Sequence, residues 1–131
     1  MAYYDKRHVD GEFEEVVEKT TDALSDEGFG ILSDIDVSEA FEEKLDIESY
    51  PEYRILGACN PLLAKEGLDA ENDLGVLLPC NVVVYETDDG VVVSMVDPET
   101  MLSVVDNPEL DDIAGDVRAR FDRVLDTLSA S

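Results

Sequence analysis

The sequence predicts an α+β domain of two layers, a mainly antiparallel sheet with helices on one face. Apolar residues recur at helical spacing in some segments and alternate with polar residues in others. Two of the alternating segments are joined by Asp88-Asp89-Gly90, which is typical of a tight antiparallel hairpin. The length of 131 residues suits one hydrophobic core, so we expect a single domain over residues 1–131.

The first half of the chain predicts two strands that alternate with two helices. Its elements are, in order, a strand over 3–9, a helix ended by a left-handed Gly28, a strand over 29–37, a short helix capped by Ser38, and a break at Pro51. The strand over 29–37 alternates in polarity, with a short interruption at Ser33.

The second half predicts three strands and two helices. Its elements are, in order, a strand over 53–59, a helix from Asn60-Pro61, strands over 76–86 and 91–96, and a last helix from Asn107-Pro108. Asn is a favoured helix cap and Pro a favoured first helical residue, so each Asn-Pro pair indicates a helix start. Pro79 is expected at a bulge or where its strand begins, and Asp97-Pro98 at a turn. The predicted order is β-α-β-α-β-α-β-β-α.

The charge excludes some classes of partner. Asp and Glu number 33 against 9 Lys and Arg, for a net charge of −24. Nucleic acid and anionic membranes would repel such a surface, so neither is expected as a partner. Even spacing of the acids favours a protein of a high-salt cytoplasm, as in a halophilic archaeon; a mesophilic protein that binds cations or a basic partner is the alternative. The N-terminus has no apolar signal-peptide core, so we expect a cytoplasmic location.

The two cysteines are the main candidates for chemistry. Cys59 precedes a predicted helix start, whose partial positive charge would lower its pKa and make it a nucleophile, a persulfide carrier or a soft-metal ligand. Cys80 lies in the most apolar strand, and it could approach Cys59 if their strands are neighbours. A redox-active disulfide or a soft-metal pair would then be available. The alternative is that both are core residues.

Four polar residues complete the candidate set. Asn60 is explained as a helix cap, whereas Asn81 lies inside an apolar strand and either lines a pocket or satisfies backbone groups near Pro79. Arg54 is expected to bind either a carboxylate or an anionic ligand. His8 is the only histidine and, with no Ser or Cys motif beside it, indicates an exposed strand residue.

Several segments of the chain resemble the domain-of-unknown-function 302 family. They are YRILGACNP from Tyr53, LLPCNVVVYE from Leu77, VDPETM from Val96 and GFGILSDIDV from Gly28. The resemblance extends over essentially the whole chain. It implies a compact α+β fold and a tendency to form homodimers, and it implies no activity or cofactor.

These observations favour a small cytoplasmic homodimeric binding or carrier protein. Its site would include Cys59, Asn60, Cys80 and Asn81 with Arg54 close by, and would handle sulfur, redox equivalents, a soft metal or a small molecule. The hairpin over 82–96 is apolar on both faces, and one helical layer covers one face, so a second copy would cover the other. The alternatives are a non-catalytic interaction module with core cysteines and an enzyme with a site at the dimer interface.

Overall fold

A five-stranded antiparallel sheet forms one layer of the protein, in a computed structural model that describes residues 2–130. The sheet order is β1-β5-β4-β3-β2, and every neighbouring pair is antiparallel. The strands are β1 Tyr4–Val9, β2 Gly30–Asp36, β3 Tyr53–Cys59, β4 Cys80–Thr87 and β5 Gly90–Val96. The helices are α1 Phe13–Asp26, α2 Val37–Leu45, α3 Pro61–Ala70, α4 Pro98–Leu102 and α5 Asp111–Ala130. The predicted α+β class is confirmed, with α4 as an additional short helix.

The main core lies between the sheet and residues of α1, α3 and α5. Side chains from these helices, such as Val16, Leu24 and Phe121, pack against inward-facing residues of the strands. A smaller second cluster lies beside it and comprises Leu74, Leu102, Leu110 and Ala114. The opposite face of the sheet is open. In the described part of the chain, no helix is long and apolar enough to cross a membrane.

Two predicted helix boundaries are formed by the expected residues. After α1, Gly28 adopts φ +87°, and its N–H donates to the Ser25 carbonyl while the Phe29 N–H donates to the Leu24 carbonyl, both at 3.0 Å. This hydrogen-bond pattern satisfies carbonyls that the end of a helix leaves free. At α3, the Asn60 side chain accepts from the Leu63 N–H at 3.2 Å, and Pro61 is the first helical residue.

Two other boundaries were predicted wrongly. The fourth strand begins at Cys80 rather than at Val76, because residues 72–76 form a 3-10 helix and Val76 is 86% exposed. Pro79 therefore immediately precedes the strand, one of the two places expected. The cap of α2 is Asp36, whose carboxylate accepts from the Glu39 N–H at 3.0 Å, rather than Ser38.

A third difference concerns Asp97, for which we expected a turn alone. Its carboxylate accepts from the Glu99 and Thr100 N–H groups, at 3.0 and 3.3 Å, and caps α4. The last predicted helix starts as expected, since Asn107 caps a 3-10 turn over Pro108–Leu110 that leads into α5.

Candidate functional site

The two faces of the sheet carry two different concave regions. On the helix side, a small cavity of about 40 Å³ is lined mainly by apolar residues, together with Cys59, Asn60 and Cys80. On the open side lies a wider groove of about 480 Å³. Three of the five predicted site residues therefore line the small cavity.

Burial disfavours the ionised, thiolate form of both cysteines. Cys80 is 7% exposed, and its burial, with a smaller contribution from nearby Cys59, raises its pKa to about 11. Burial also raises the pKa of Cys59, although this residue is partly exposed. The expectation that the helix start lowers the pKa of Cys59 was wrong, because desolvation of the thiol is the dominant effect. Both cysteines are free.

The sheet register limits how the two thiols meet. Strands β3 and β4 are neighbours, as the disulfide and metal hypotheses require, but the residue opposite Cys80 is Ala58. Cys59 is the last residue of β3, one position beyond Ala58, so it is not directly opposite Cys80. The two cysteines line one cavity without forming a facing cross-strand pair.

Arg54 is bound by carboxylates at the other end of β3. Its Nε and Nη2 donate to the two oxygens of Asp34, each at 2.8 Å, and its Nη1 donates to Glu14 at 2.9 Å. The hydrogen bonds to Asp34 raise the pKa of Arg54, so it stays charged. Cys59 is five positions further along the strand, a distance of about 17 Å. The expectation that Arg54 lies beside the cysteines was therefore wrong.

Asn81 belongs to the open-face groove rather than to the cysteine cavity. It is exposed and lies opposite Gly57 in the register. The groove is lined by Tyr3, Tyr4, Lys6, Tyr53, Asn81, Val83, Tyr85, Ser94, Met95 and Val96. Of the two roles expected for Asn81, the structure favours a pocket-lining one.

Two tyrosine pairs lie on this open face. Tyr53 and Tyr85 occupy opposite positions of β3 and β4, and their rings stack at 5.5 Å between centroids with an angle of 14°. Tyr3 and Tyr4 meet edge to face at 5.0 Å, and the ammonium group of Lys6 lies 5.7 Å from the centre of the Tyr4 ring. The groove therefore offers flat aromatic surfaces at two places, with one cation near the second.

No strand acid lies on the open face. The strands contain the four acids Asp5, Asp34, Asp36 and Glu86. Residues directly opposite each other on paired strands point to the same face of the sheet. Three of these acids are opposite a core residue: Asp5 pairs with Met95, Asp34 with Leu56, and Glu86 with Val91. Asp36 lies two residues after Asp34 on the same face. A chain with 33 acids thus leaves one large surface free of strand carboxylates.

Lys6 is one of two cations without a carboxylate partner among the described residues, the other being Lys44. The remaining seven basic residues form ion pairs: Arg7, Lys19, Arg54, Lys65, Arg118, Arg120 and Arg123. An unpaired lysine in so acidic a protein follows from the absence of acids on its face. His8, the other basic residue of this face, is exposed as predicted.

A third concave region has the opposite character. Its lining includes five acids: Asp36, Glu39, Glu42, Glu48 and Glu52. Partial burial of the Glu52 carboxyl, together with the negative charges of nearby acids, raises the pKa of this residue. Within residues 2–130, no group of three or more His, Cys, Asp or Glu side chains is arranged to hold a metal ion.

The sequence interpretation missed the tyrosine groove. The alternation of Tyr4, Lys6 and His8 with inward residues was visible, as was the tyrosine in each of two apolar strands. What joins them is the pairing of β1 with β5 and of β3 with β4, which places distant segments side by side. Local periodicity carries no information about that order.

Comparison with known proteins identifies a family and a similar crystal structure. The family model described as "Domain of unknown function DUF302" matches residues 6–128. The crystal structure of an uncharacterized conserved DUF302 protein from Bacillus stearothermophilus is 29% identical, with a TM-score of 0.90. The similarity covers 98% of this chain and 99% of that one. No curated protein matches the chain.

Proposed function

The chain belongs to the DUF302 family, whose description names no activity, and we propose from its own geometry that it is a small homodimeric binding protein of the cytoplasm. Two copies would pack through the open faces of their sheets and enclose the groove between them. The observation that supports this most directly is the open face itself, which combines apolar and aromatic side chains with an absence of strand acids.

The total accessible surface is compatible with a dimer interface. The accessible surface of 7687 Å² exceeds the roughly 6,800 Å² expected for a folded monomer of this mass by about 900 Å². A standard interface buries about 800 Å² per partner. Two sheets pack about 10 Å apart when their faces meet, so the uncovered face can pack against the same face of a second copy.

The charge distribution also favours contact through this face. Two molecules of net charge −24 repel each other least where neither presents carboxylates, because repulsion between like charges falls with distance and screening. A two-fold axis brings the same patch of each copy together. The open face is acid-free along all five strands and therefore satisfies this condition.

The first prediction is the oligomeric state. In molar KCl at micromolar concentration, we expect sedimentation velocity to give a dimer. Val83→Glu, which places a charge on the open face of the central strand β4, should give a folded monomer. Leu62→Glu adds the same charge at a 67% exposed position of α3 and should leave the dimer intact. A monomeric unmodified chain, or equal effects of both substitutions, would contradict the proposal.

Thiol chemistry at the small cavity is the second candidate function. It is favoured by one observation, namely that both cysteines line the same apolar cavity. Such a site would handle sulfur or a soft metal at Cys59, which is the more accessible thiol. The alternative is that both cysteines serve only as core residues.

The second prediction concerns the labelling of these cysteines. In the native protein we expect alkylation of Cys59 to be faster than that of Cys80. Its rate should rise through a midpoint above the roughly 8.5 of a free cysteine, because burial raises the pKa. Peptide mapping between pH 6 and 11 measures both rates. If neither residue reacts until urea unfolds the protein, the cysteines are core residues and the thiol function is wrong.

A further inference from the structure

We infer that the open-face groove binds a planar aromatic ligand that carries one anionic group. The inference rests on the proposed dimer, in which the second copy covers the groove. The ring of the ligand would lie against tyrosine side chains, and its anion would meet Lys6. This names a class of ligand for the binding function proposed above.

The covered lysine is the first argument. Lys6 has no carboxylate within ion-pair distance in the described chain, and its ammonium group lies 5.7 Å from the centre of the Tyr4 ring. A charge removed from water costs free energy unless it is paired. In a two-fold dimer the facing sheet presents the same residues, so its strands also bring no acid. A ligand anion would supply the missing partner.

The aromatic lining is the second argument. Four tyrosines line the groove, and Tyr53 and Tyr85 are already stacked with nearly parallel rings. Aromatic faces favour offset stacking with another ring, whereas a flexible aliphatic ligand would gain no such contact. The hydroxyl groups of the tyrosines, together with Ser94 and Asn81, give the groove donors and acceptors that can orient the ligand.

The size and charge of the groove are the third argument. A volume of about 480 Å³ lies within the roughly 300–1,000 Å³ of small-molecule pockets. The acidic surroundings would repel a ligand with several negative charges. A single anionic group is the charge that Lys6 can balance.

Two fluorescent probes with the same rings test this class of ligand. Anilinonaphthalene sulfonate carries one anion, and phenylnaphthylamine is its neutral counterpart. We expect both to bind the folded dimer in molar KCl. Lys6→Met should weaken the sulfonate about tenfold, as expected for loss of a charge-assisted contact, and the neutral probe less than about twofold. Lys44→Met removes the other unpaired lysine and is the matched control, expected to change neither affinity.

The controls separate failure of the ligand class from failure of the dimer. Near-ultraviolet circular dichroism must show native packing, since probe binding to a loosened chain would mimic the result. Sedimentation with saturating sulfonate should still give a dimer. A dimer that binds no sulfonate, equal losses in the two lysine variants, or a probe that splits the dimer overturns the ligand inference. A monomer without any probe overturns the proposed dimer, and the inference with it.

Discussion

Arg54 illustrates how the acidic surface occupies most basic side chains of this protein. Its side chain is only 16% exposed, and its guanidinium group is shared between Asp34 and Glu14. Its conformation is held by a bidentate contact with Asp34, which is the geometry that Arg favours with a carboxylate. Lys6 differs because its strand position faces away from every strand acid.

The third prediction follows from these Arg54 contacts. Arg54→Met should lower the free energy of unfolding by about 1 kcal/mol, below the roughly 1.5–3 kcal/mol of charged hydrogen bonds, because both acids remain largely hydrated. Asp34 is 43% exposed and Glu14 is 72% exposed. Urea unfolding in molar KCl measures the change. Lys65→Met, which breaks an exposed pair with Asp69, is the control and should have no measurable effect; an equal loss in both would contradict this account.

At the scale of elements, the starts of helices were predictable because they depend on adjacent residues. Asn60-Pro61 and Asn107-Pro108 each supply a cap and a favourable first residue, and both sites form as expected. The start of β4 was not predictable in this way. Leu77 and Leu78 continue the apolar run, but they pack against the second core cluster beside the 3-10 helix instead of pairing in the sheet. Whether these two leucines pair in the sheet or pack against the second cluster depends on contacts with residues distant in sequence.

The candidate site was predictable only in part, for the same reason. Local sequence placed Cys59 and Asn60 at the junction of a strand and a helix, and the structure has them there. The faces occupied by Asn81 and Arg54 depend on strand register, which a slip of one residue would reverse. The tyrosine groove depends on the order of all the strands, so it emerged only from the structure.

The fourth prediction compares two glycines in different elements. At Gly57 in β3, an added Cβ would lie 2.8 Å from Cγ of Pro79 and against the hydroxyl of Ser33. The proline ring cannot rotate away, so Gly57→Ala should destabilise the fold by about 1–3 kcal/mol. At Gly115 in α5, nothing lies within 4 Å of the added atom. Gly115→Ala should stabilise the protein by about 0.5–1 kcal/mol, since alanine favours the helix.

Urea melts of the two glycine variants measure both effects. Because the same chemical group is added in each case, the opposite signs isolate the local environment from general consequences of replacing glycine. A neutral Gly57→Ala would mean that Ser33 and Pro79 yield without loss of packing, and the close approach would then carry no energetic weight.

At the scale of the whole molecule, the charge is uneven although the sequence distributes acids evenly. Acids occur in every region of the chain, yet the register turns each strand acid towards the helix side. The exterior is therefore strongly negative except over the open sheet face. This arrangement opposes compaction of the single chain, and it leaves one surface where close approach costs little electrostatic energy.

The fifth prediction is that salt stabilises both the fold and the dimer. Raising KCl from ~0.1 M to ~1 M shortens the Debye length from about 10 Å to about 3 Å. Repulsion within a chain of net charge −24 should then fall steeply, and the midpoint of thermal unfolding should rise with it. Because this effect depends on ionic strength, most of the gain should occur below ~1 M, where the Debye length changes most.

A matched comparison separates screening from exclusion of the solute from the protein surface. Sucrose stabilises proteins by exclusion and does not screen charge, so it should raise the midpoint gradually, without the early steep gain in KCl. Sedimentation across the same KCl series should show dimer formation increasing over the same range, because the acid-free faces approach only when the acids around them are screened. A midpoint that is flat in KCl would contradict the high-salt adaptation. A dimer equally stable at ~0.1 M would show that the open face alone overcomes the repulsion.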